Sequence, residues 1–140
     1  PADHFCDYPN NECGDGDQTG VCVPMPSNCP GVVLPACACD GVVYGNECEA
    51  QRAGYDVNQL GGCAPPDPGS FACGWRFCTI TAEYCRIDVS DVTTIPNDYS
   101  CIALNCLPDP PTCACLANEP CGDMCAADLA GNLTLSCSGG

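Results

Sequence analysis

The stretch from Cys37 to Gly54 reads CACDGVVYGNECEAQRAG and contains the local signals of a small stapled fold. Asp40-Gly41 is a tight-turn pair, and the β-branched and aromatic run Val42-Val43-Tyr44 predicts a short strand after it. Asn46 suits the N-cap of a short helix over 47–53, and the glycine that follows suits the left-handed residue that ends a helix. The stretch therefore predicts a turn, a strand and a helix within a cysteine framework.

Cysteine usage predicts an oxidising compartment. Eighteen of the 140 residues are Cys, a larger share than the ~8–10% that marks a disulfide scaffold. Because reducing conditions in the cytosol keep thiols free, we expect this chain to be secreted, extracellular or at the cell surface. A chain this short buries a modest core and needs cross-links, so the composition predicts a small disulfide-rich α+β fold.

The charge balance excludes two classes of partner. The chain has 18 acidic residues against three Arg and no Lys, which gives a formal net charge of −15. Such a surface repels nucleic acid and anionic lipid, so we expect neither as a partner. No apolar run approaches the ~20 residues of a membrane span, and we expect no membrane insertion.

Segment 64–70, with the sequence APPDPGS, is the clearest boundary in the chain. Its prolines make it extended and semi-rigid. Eight cysteines precede it and ten follow it, so each side can close its own bridges. We expect a module over 1–63 with an N-terminal Cys-rich loop, a proline-rich linker over 64–70, and a second Cys-rich module over 71–140.

The second module repeats the first in diverged form. Cys37-x-Cys39 recurs as Cys113-x-Cys115, and residues 45–54 and 122–131 share the frame G-x-x-C-x-A-x-x-A-G. Agreement in cysteine order, spacing and frame together predicts a tandem duplication.

Residues 22–63 resemble Kazal-type domains, in the variant form common in bacterial extracellular proteins. The family's motif C-x-x-D-G-x-x-Y-x-N-x-C is matched from Cys37 to Cys48, and its seven-residue spacing recurs between Cys29 and Cys37. Residues 85–137 resemble the family only as a diverged copy. One departure is Gln51, which stands where the family has a cysteine. The resemblance implies two tandem Kazal-like modules, each with a short β-hairpin, one short helix and long stapled loops.

The resemblance also implies a set of disulfide bridges. In the first copy these are Cys29–Cys48 and Cys37–Cys63, with Cys22–Cys39 and Cys6–Cys13 for the remaining cysteines. By analogy, the second copy has Cys106–Cys125, Cys113–Cys137 and Cys101–Cys115, and two further bridges among Cys73, Cys78, Cys85 and Cys121.

The same resemblance points to one recognition loop. Kazal inhibitors present the segment after their second cysteine to a serine protease in an extended, substrate-like shape. In this chain the segment is Pro30-Gly31-Val32-Val33-Leu34, and the bond open to attack is Gly31–Val32. Asn46 is expected to brace the loop by hydrogen bonds, and Tyr44 to pack beneath it.

Gly31 sets the expected target, because it offers no side chain to a specificity pocket. A trypsin-like protease is therefore not expected, whereas an elastase-like or subtilisin-like protease with a shallow pocket is. The counterpart of this loop in the second copy, residues 107–112, is shorter and rich in proline, and we expect no inhibition from it.

Two classes of function are open. The first is a secreted, disulfide-stapled structural or adhesive module of an extracellular or cell-surface assembly, able to self-assemble into a fibre or filament through the apolar Val32-Val33-Leu34. The alternative is a Kazal-type serine protease inhibitor acting through the loop Cys29–Cys37. Other proteins are the partners in both, either further copies of the chain or a serine protease.

Enzymatic chemistry is not expected. The chain has a single His, His4, so a histidine-dependent catalytic triad has no other residue to use. The Cys-x-Cys pairs have the ligand type of soft metals, but the even cysteine count and the oxidising compartment favour bridges. We therefore expect neither a metal nor a cofactor.

Overall fold

The computed structural model describes residues 3–14, 19–92, 95–106 and 111–138. Within them the chain forms ten short strands, one α-helix and two short 3₁₀ helices. Eight disulfides cross-link these elements. The protein is a small disulfide-rich α+β fold, as its composition predicts. In the described part of the chain, no helix has the length and apolar character needed to cross a membrane.

The first half is built from two small antiparallel ribbons and a helix. The strands are β1 (His4–Asp7), β2 (Val21–Pro24), β3 (Ala36–Cys37) and β4 (Val43–Tyr44). β1 pairs with β2, and β3 pairs with β4. The turn between β3 and β4 forms at Asp40-Gly41 as predicted: Gly41 has a φ of +81°, and Asp40 Oδ1 accepts a hydrogen bond from Val42 N at 3.1 Å.

The helix α1 (Glu47–Arg52) confirms the expected helix after the turn. Asn46 is its N-cap, and the negative charges of two glutamates in the first turn interact favourably with the positive end of the helix dipole. Gly54 follows the C-terminal end with a φ of +101°, a conformation that glycine adopts without a Cβ penalty. A six-residue helix is too short to be stable alone, so its position depends on the cap and on packing.

The second half is predominantly β. Its strands are β5 (Ser70–Cys73), β6 (Arg76–Thr79), β7 (Glu83–Asp88), β8 (Asp98–Ala103), β9 (Cys125–Ala127) and β10 (Leu133–Cys137). β5 and β6 form a hairpin, and the other four form a sheet in the order β8-β7-β10-β9. β7 and β10 are parallel, whereas the other neighbours are antiparallel. Leu133, Leu135 and Cys137 alternate into the core, as expected for a half-buried strand.

The helix expected in the second copy is absent from residues 122–131. Gly122–Met124 form a single 3₁₀ turn, and the chain then continues as β9. Asp123, the counterpart of Asn46, lies within the 3₁₀ turn instead of capping a helix. The backbone of 125–127 is paired with β10, so tertiary pairing overrides the weak local preference of the shared frame.

The disulfides agree with the expectation at two positions. Cys29–Cys48 and Cys37–Cys63 are both formed. The other bridges of the structure are Cys13–Cys39, Cys73–Cys85, Cys78–Cys101, Cys106–Cys115, Cys113–Cys125 and Cys121–Cys137. Cys6 and Cys22 are both free.

Five expected pairings are wrong, namely Cys22–Cys39, Cys6–Cys13, Cys106–Cys125, Cys113–Cys137 and Cys101–Cys115. Of the two bridges expected among Cys73, Cys78, Cys85 and Cys121, Cys73–Cys85 is formed, whereas Cys78 and Cys121 pair with cysteines outside this group. In the first half, the β1–β2 ribbon holds Cys6 and Cys22 at the surface. Cys39 therefore pairs with Cys13 instead. In the second half, the sheet puts Cys101 of β8 beside the β5–β6 hairpin, where it meets Cys78. Strand pairing, which cysteine spacing does not encode, decides these partners.

The two halves share one core. Ala36, Val57 and Cys37 of the first half pack in a single cluster with Phe71 and Trp75 of the second. A backbone hydrogen bond from Cys37 N to the Trp75 carbonyl, 2.8 Å long, joins β3 to the loop before β6. A separate cluster beneath the four-stranded sheet consists of Tyr84, Leu104, Leu116, Leu133 and Leu135. Segment 64–70 thus connects halves that support one another.

Asp56 is a buried acid that ties the N-terminal segment to this core. Its residue surface is 2% exposed, and its carboxylate accepts hydrogen bonds from Tyr8 N at 2.8 Å and Val57 N at 2.9 Å. Burial raises the pKa of Asp56 from 3.8 to about 6, although the two backbone donors act in the opposite direction.

The raised pKa predicts a specific pH dependence of stability. Between about pH 4 and 6, Asp56 is protonated to a greater extent in the folded chain than in the unfolded chain, so its contribution to the free energy of unfolding decreases as the pH rises through this window. In Asp56→Asn, the decrease in the free energy of unfolding between pH 4 and pH 7 should be smaller by up to about 3 kcal/mol. Guanidinium unfolding of both proteins at pH 4 and pH 7, with the disulfides intact, measures it. Glu47, whose pKa burial also raises, is present in both proteins, and its charge is the smallest of the causes given for the raised pKa of Asp56. Equal pH slopes would contradict the prediction.

Candidate protein-recognition loop

The chain between Cys29 and Ala36 is an exposed loop without regular hydrogen bonding. Three successive apolar residues in it are solvent-exposed: Val32 by 52%, Val33 by 77% and Leu34 by 53%. The loop is anchored at one end by the Cys29–Cys48 bridge to α1, and at the other end it enters β3. Apolar side chains held away from the core in this way are available to a partner.

The side-chain amide of Asn46 holds this loop from below. Its Nδ2 donates to the Pro30 carbonyl at 3.2 Å and to the Val32 carbonyl at 2.8 Å, while its Oδ1 accepts from Glu49 N at 2.9 Å. The residue is only 8% exposed, so these hydrogen bonds form away from bulk water. One side chain therefore caps α1 and fixes the carbonyls on both sides of Gly31.

Two further features define the shape of the loop. Leu34 N donates to the Gly45 carbonyl at 2.9 Å, which fixes the loop a second time beside Asn46. Gly31 lies at the exposed apex, and a Cβ built on it has no heavy atom within 4 Å. A side chain at position 31 would therefore project into solvent without straining the loop.

The Tyr44 hydroxyl makes a hydrogen bond within the turn before it. Its hydroxyl donates to Asp40 Oδ2 at 2.8 Å, across the turn between β3 and β4. Burial and this hydrogen bond raise the pKa of Tyr44 to about 12, so the hydroxyl remains a donor at physiological pH. Tyr44 supports the turn, and the hydrogen-bonding support of the loop comes from Asn46.

Two residues of the second half lie beside the loop, a contact that the sequence did not predict. Trp75 and Arg76 line an apolar cleft of about 240 Å³ together with Val32 and Leu34. The Arg76 guanidinium lies 4.3 Å from the Trp75 ring centroid, a cation–π geometry that fixes both side chains. A second cleft of about 560 Å³ shares Leu34 and Arg76 with the first and is also lined by residues of β7 and β8. Val32, Val33 and Leu34 thus form an exposed ridge beside two clefts.

A cysteine cluster with metal-like spacing is already used by disulfides. Among the described residues, the sulfur atoms of Cys73, Cys78 and Cys101 lie within 4.8 Å of one another. They belong to the bridges Cys73–Cys85 and Cys78–Cys101, so none offers a thiolate. His4 pairs with the neighbouring Asp3 at 2.7 Å, at the edge of the β1–β2 ribbon.

Neither the models of known protein families nor the solved structures contain a match to this chain. The resemblance to Kazal-type domains therefore rests on the motif from Cys37 to Cys48 and stays a prediction. Of the residues it singled out, the structure brings Pro30, Val32 and Asn46 together. Positions 107–110 of the counterpart loop in the second copy lie outside the described residues.

Changing Asn46 should separate loop bracing from helix capping. Asn46→Asp keeps an oxygen for Glu49 N but replaces the donating NH₂ with an oxygen facing the Pro30 and Val32 carbonyls. We expect hydrogen exchange of the Leu34 amide, which is bonded to the Gly45 carbonyl within the braced loop, to accelerate about tenfold or more, because a hydrogen-bonded contact of ~1–3 kcal/mol that holds the loop is lost. Exchange at α1 should change little. Mass spectrometry of exchanged, pepsin-digested protein measures both regions.

Asn46→Ala is the matched control, because it removes the cap and the loop contacts together. Exchange should then accelerate in α1 as well as in the loop. A loop that exchanges at the native rate in Asn46→Asp would contradict the bracing role.

Proposed function

We propose that this chain is a protein-binding module that inhibits a serine protease by inserting the loop Pro30–Leu34 into its active-site cleft. The observation that carries the proposal is the Asn46 amide, which holds the carbonyls of Pro30 and Val32 on either side of an exposed Gly31. A loop with a fixed backbone and exposed apolar side chains has the form of a bound substrate before it meets an enzyme.

Preorganisation explains how such a loop binds tightly. Ordering a flexible segment on binding costs free energy, and a loop already held at Pro30, Val32 and Leu34 avoids most of that cost. The Cys29–Cys48 bridge carries the restraint into α1, so the loop cannot relax without moving the helix.

The same contacts make cleavage unproductive. The peptide bond between Gly31 and Val32 lies between the two carbonyls that Asn46 holds. If a protease cut this bond, Asn46 would retain the chain on both sides of the cut, and the new ends would stay close together. Proximity favours rejoining over release, so the protease stays occupied.

The target class follows from the residues of the ridge. Gly31 has no side chain to fill a deep pocket, so affinity must come from Val32, Val33 and Leu34 and from the backbone. A protease with a shallow or apolar pocket, of the elastase-like or subtilisin-like type, fits this surface best. The net charge of −15 favours a target whose rim is neutral or basic.

The proposed setting is outside the cytosol, secreted or at the cell surface. Eight bridges require oxidising conditions during folding, and the described bridges hold the loop, the helix and the sheet. Secreted proteases share this setting. In the proposed role the chain is a ligand of an enzyme and needs no catalytic residue, metal or cofactor of its own.

A structural or adhesive role is the second candidate, supported by the apolar character of the same ridge. Val32, Val33 and Leu34 form a contiguous exposed apolar surface next to an apolar cleft. If the ridge of one copy occupied the cleft of the next, the contact would be head-to-tail and could propagate into a fibre.

Gly31→Arg tests the inhibitor proposal by gain of function. Position 31 has open space and no requirement for positive φ, so the arginine should project from the ridge and enter a trypsin specificity pocket. We expect inhibition of trypsin to strengthen about 100-fold or more over the native chain, since a buried Arg anchor contributes ~2–4 kcal/mol or more. The native chain should inhibit a subtilisin- or elastase-like enzyme instead. Competitive inhibition assays measure both.

The matched control is Gly45→Arg, which adds the same charge at another open glycine without positive φ. It should not create trypsin inhibition. If Gly31→Arg and Gly45→Arg behaved alike, or if Gly31→Arg were cleaved at the loop as quickly as an ordinary peptide, the inhibitor proposal would fail.

Val33→Ser tests the assembly proposal. Val33 is the most exposed of the three ridge residues, so the substitution removes apolar contact area without opening the core. If the ridge mediates assembly, light scattering should find high-molecular-weight species in the native chain and far fewer in Val33→Ser. Assemblies of equal size in both proteins, or a monomeric native chain at high concentration, would contradict this role.

A further inference from the structure

The β1–β2 ribbon carries two free cysteines directly opposite each other. Cys6 and Cys22 are register partners in this antiparallel pair. Both are exposed and free, whereas the other sixteen cysteines form the eight bridges. Two thiols facing each other on an exposed ribbon are a distinct chemical feature of the molecule.

The backbone already holds these two cysteines at bonding distance. Opposed residues in antiparallel strands have Cα atoms ~4.5–5.5 Å apart. A disulfide spans Cα separations of ~4.4–6.8 Å. Rotation of the side chains is therefore enough to join or separate the two sulfur atoms, and the strands need not move.

A cleft gives small molecules access to Cys6. Its volume is about 350 Å³, and Tyr8, Tyr55 and the Cys13–Cys39 bridge line it together with Cys6. Gly20 keeps this face open, since a Cβ there would lie 2.9 Å from Tyr8 Cε1 and 3.3 Å from Cys6 Cβ. A disulfide reagent a few atoms long fits in this space.

The ribbon is held in place without a bridge between its own strands. Phe5 is buried, Tyr8 N is bonded to Asp56, and Met25 N donates to the Asp3 carbonyl at 2.9 Å. Further along, the Cys13–Cys39 bridge fixes the segment to β3 and its turn. Opening a Cys6–Cys22 bridge therefore leaves the fold intact.

We propose that Cys6 and Cys22 form a thiol–disulfide exchange site that reacts reversibly with small neutral or cationic disulfides. The charge preference follows from the surface, since the net charge is −15 and Asp7 lies on the same strand. Anionic disulfides are repelled from it, and the repulsion weakens as salt screens the charges.

The exchange runs through two displacement steps. The thiolate of one cysteine attacks a sulfur of the disulfide RSSR, forms a mixed protein–S–S–R bond and releases RS⁻. The second cysteine, as thiolate, attacks the protein sulfur of that mixed bond and releases the second RS⁻. The dithiol has then lost two electrons and two protons, and RSSR has become two RSH. Excess RSH drives both steps backwards.

The test uses the full chain and cystamine, a small cationic disulfide. After brief treatment with dilute cysteamine and desalting, iodoacetamide should label two thiols per chain, at Cys6 and Cys22. In a second portion of the reduced protein that has not been alkylated, cystamine should remove both thiols, so that iodoacetamide then labels neither, and it should leave no adduct on the native chain. Mass spectrometry of the intact and digested protein reads out labelling, adducts and bridge positions, and circular dichroism should be unchanged.

Variants that lack one of the two cysteines test the second displacement step, which closes the bridge. Cys6→Ser and Cys22→Ser should each stop at a stable cystamine adduct, because the second thiol is missing. Adducts that persist on the native chain would overturn the proposal. Labelling at Cys106 or Cys115, the bridge that also contains an exposed cysteine, at the same rate as at Cys6 would overturn it too.

A pair of disulfides of opposite charge tests the ligand class. Each rate is divided by the rate of the same reagent with 2-mercaptoethanol, a small neutral thiol, which corrects for the different leaving groups. At low ionic strength, the normalised rate of cystamine should exceed that of the anionic 3,3′-dithiodipropionate about tenfold or more, and the ratio should fall towards one in high salt. Equal normalised rates at low salt would overturn the preference for neutral or cationic disulfides. None of these readouts depends on protease inhibition, so this site and the proposed function fail separately.

Discussion

The most consequential interaction in the molecule is made by the side-chain amide of Asn46. Its oxygen completes the first turn of α1, and its nitrogen binds two loop carbonyls. A helix of six residues has little stability of its own, and a loop of exposed apolar residues has less. Both depend on the same buried amide, the helix through its oxygen and the loop through its nitrogen.

The disulfide bridges and the shared core hold the structure around that amide, some locally and some across the two halves. Cys29–Cys48 works locally and connects the loop to the helix. Cys37–Cys63 and the Cys37–Trp75 backbone hydrogen bond fix β3, where the loop ends, to the second half. The second half thereby becomes part of the surface around the loop, where Trp75 and Arg76 line a cleft with Val32 and Leu34. Neither half presents the complete surface alone.

Local signals predicted the centre of the first half correctly. The turn, the strand, the helix and its cap between Asp40 and Gly54 each depend on residues adjacent in sequence, and all are present. The loop and its contact with Asn46 followed from resemblance, because spacing alone does not say which carbonyl an amide reaches. The hydrogen bond from the Tyr44 hydroxyl to Asp40 was not predicted, although it joins residues only four positions apart.

The second half was predicted poorly because its structure is determined by long-range pairing. The frame shared with α1 becomes β9 at 125–127, where β10 supplies the backbone partners. The cysteine partners changed for the same reason, since bridges follow whichever strands become neighbours. Eighteen cysteines permit very many connectivities, and only the strand order selects among them.

That strand order has a consequence for how the chain matures. β10 follows all the other described strands in sequence, yet it lies inside the sheet between β7 and β9. While the chain emerges from a ribosome or a translocation pore, β7 and β8 can pair early, but β7 keeps an open edge and β9 has no neighbour. Cys121 likewise has no bridge partner until Cys137 on β10 has been made. The second half is therefore completed from its last strand, and until that strand arrives its thiols are exposed to mispairing. An oxidising compartment that folds this protein needs a means of reshuffling early bridges.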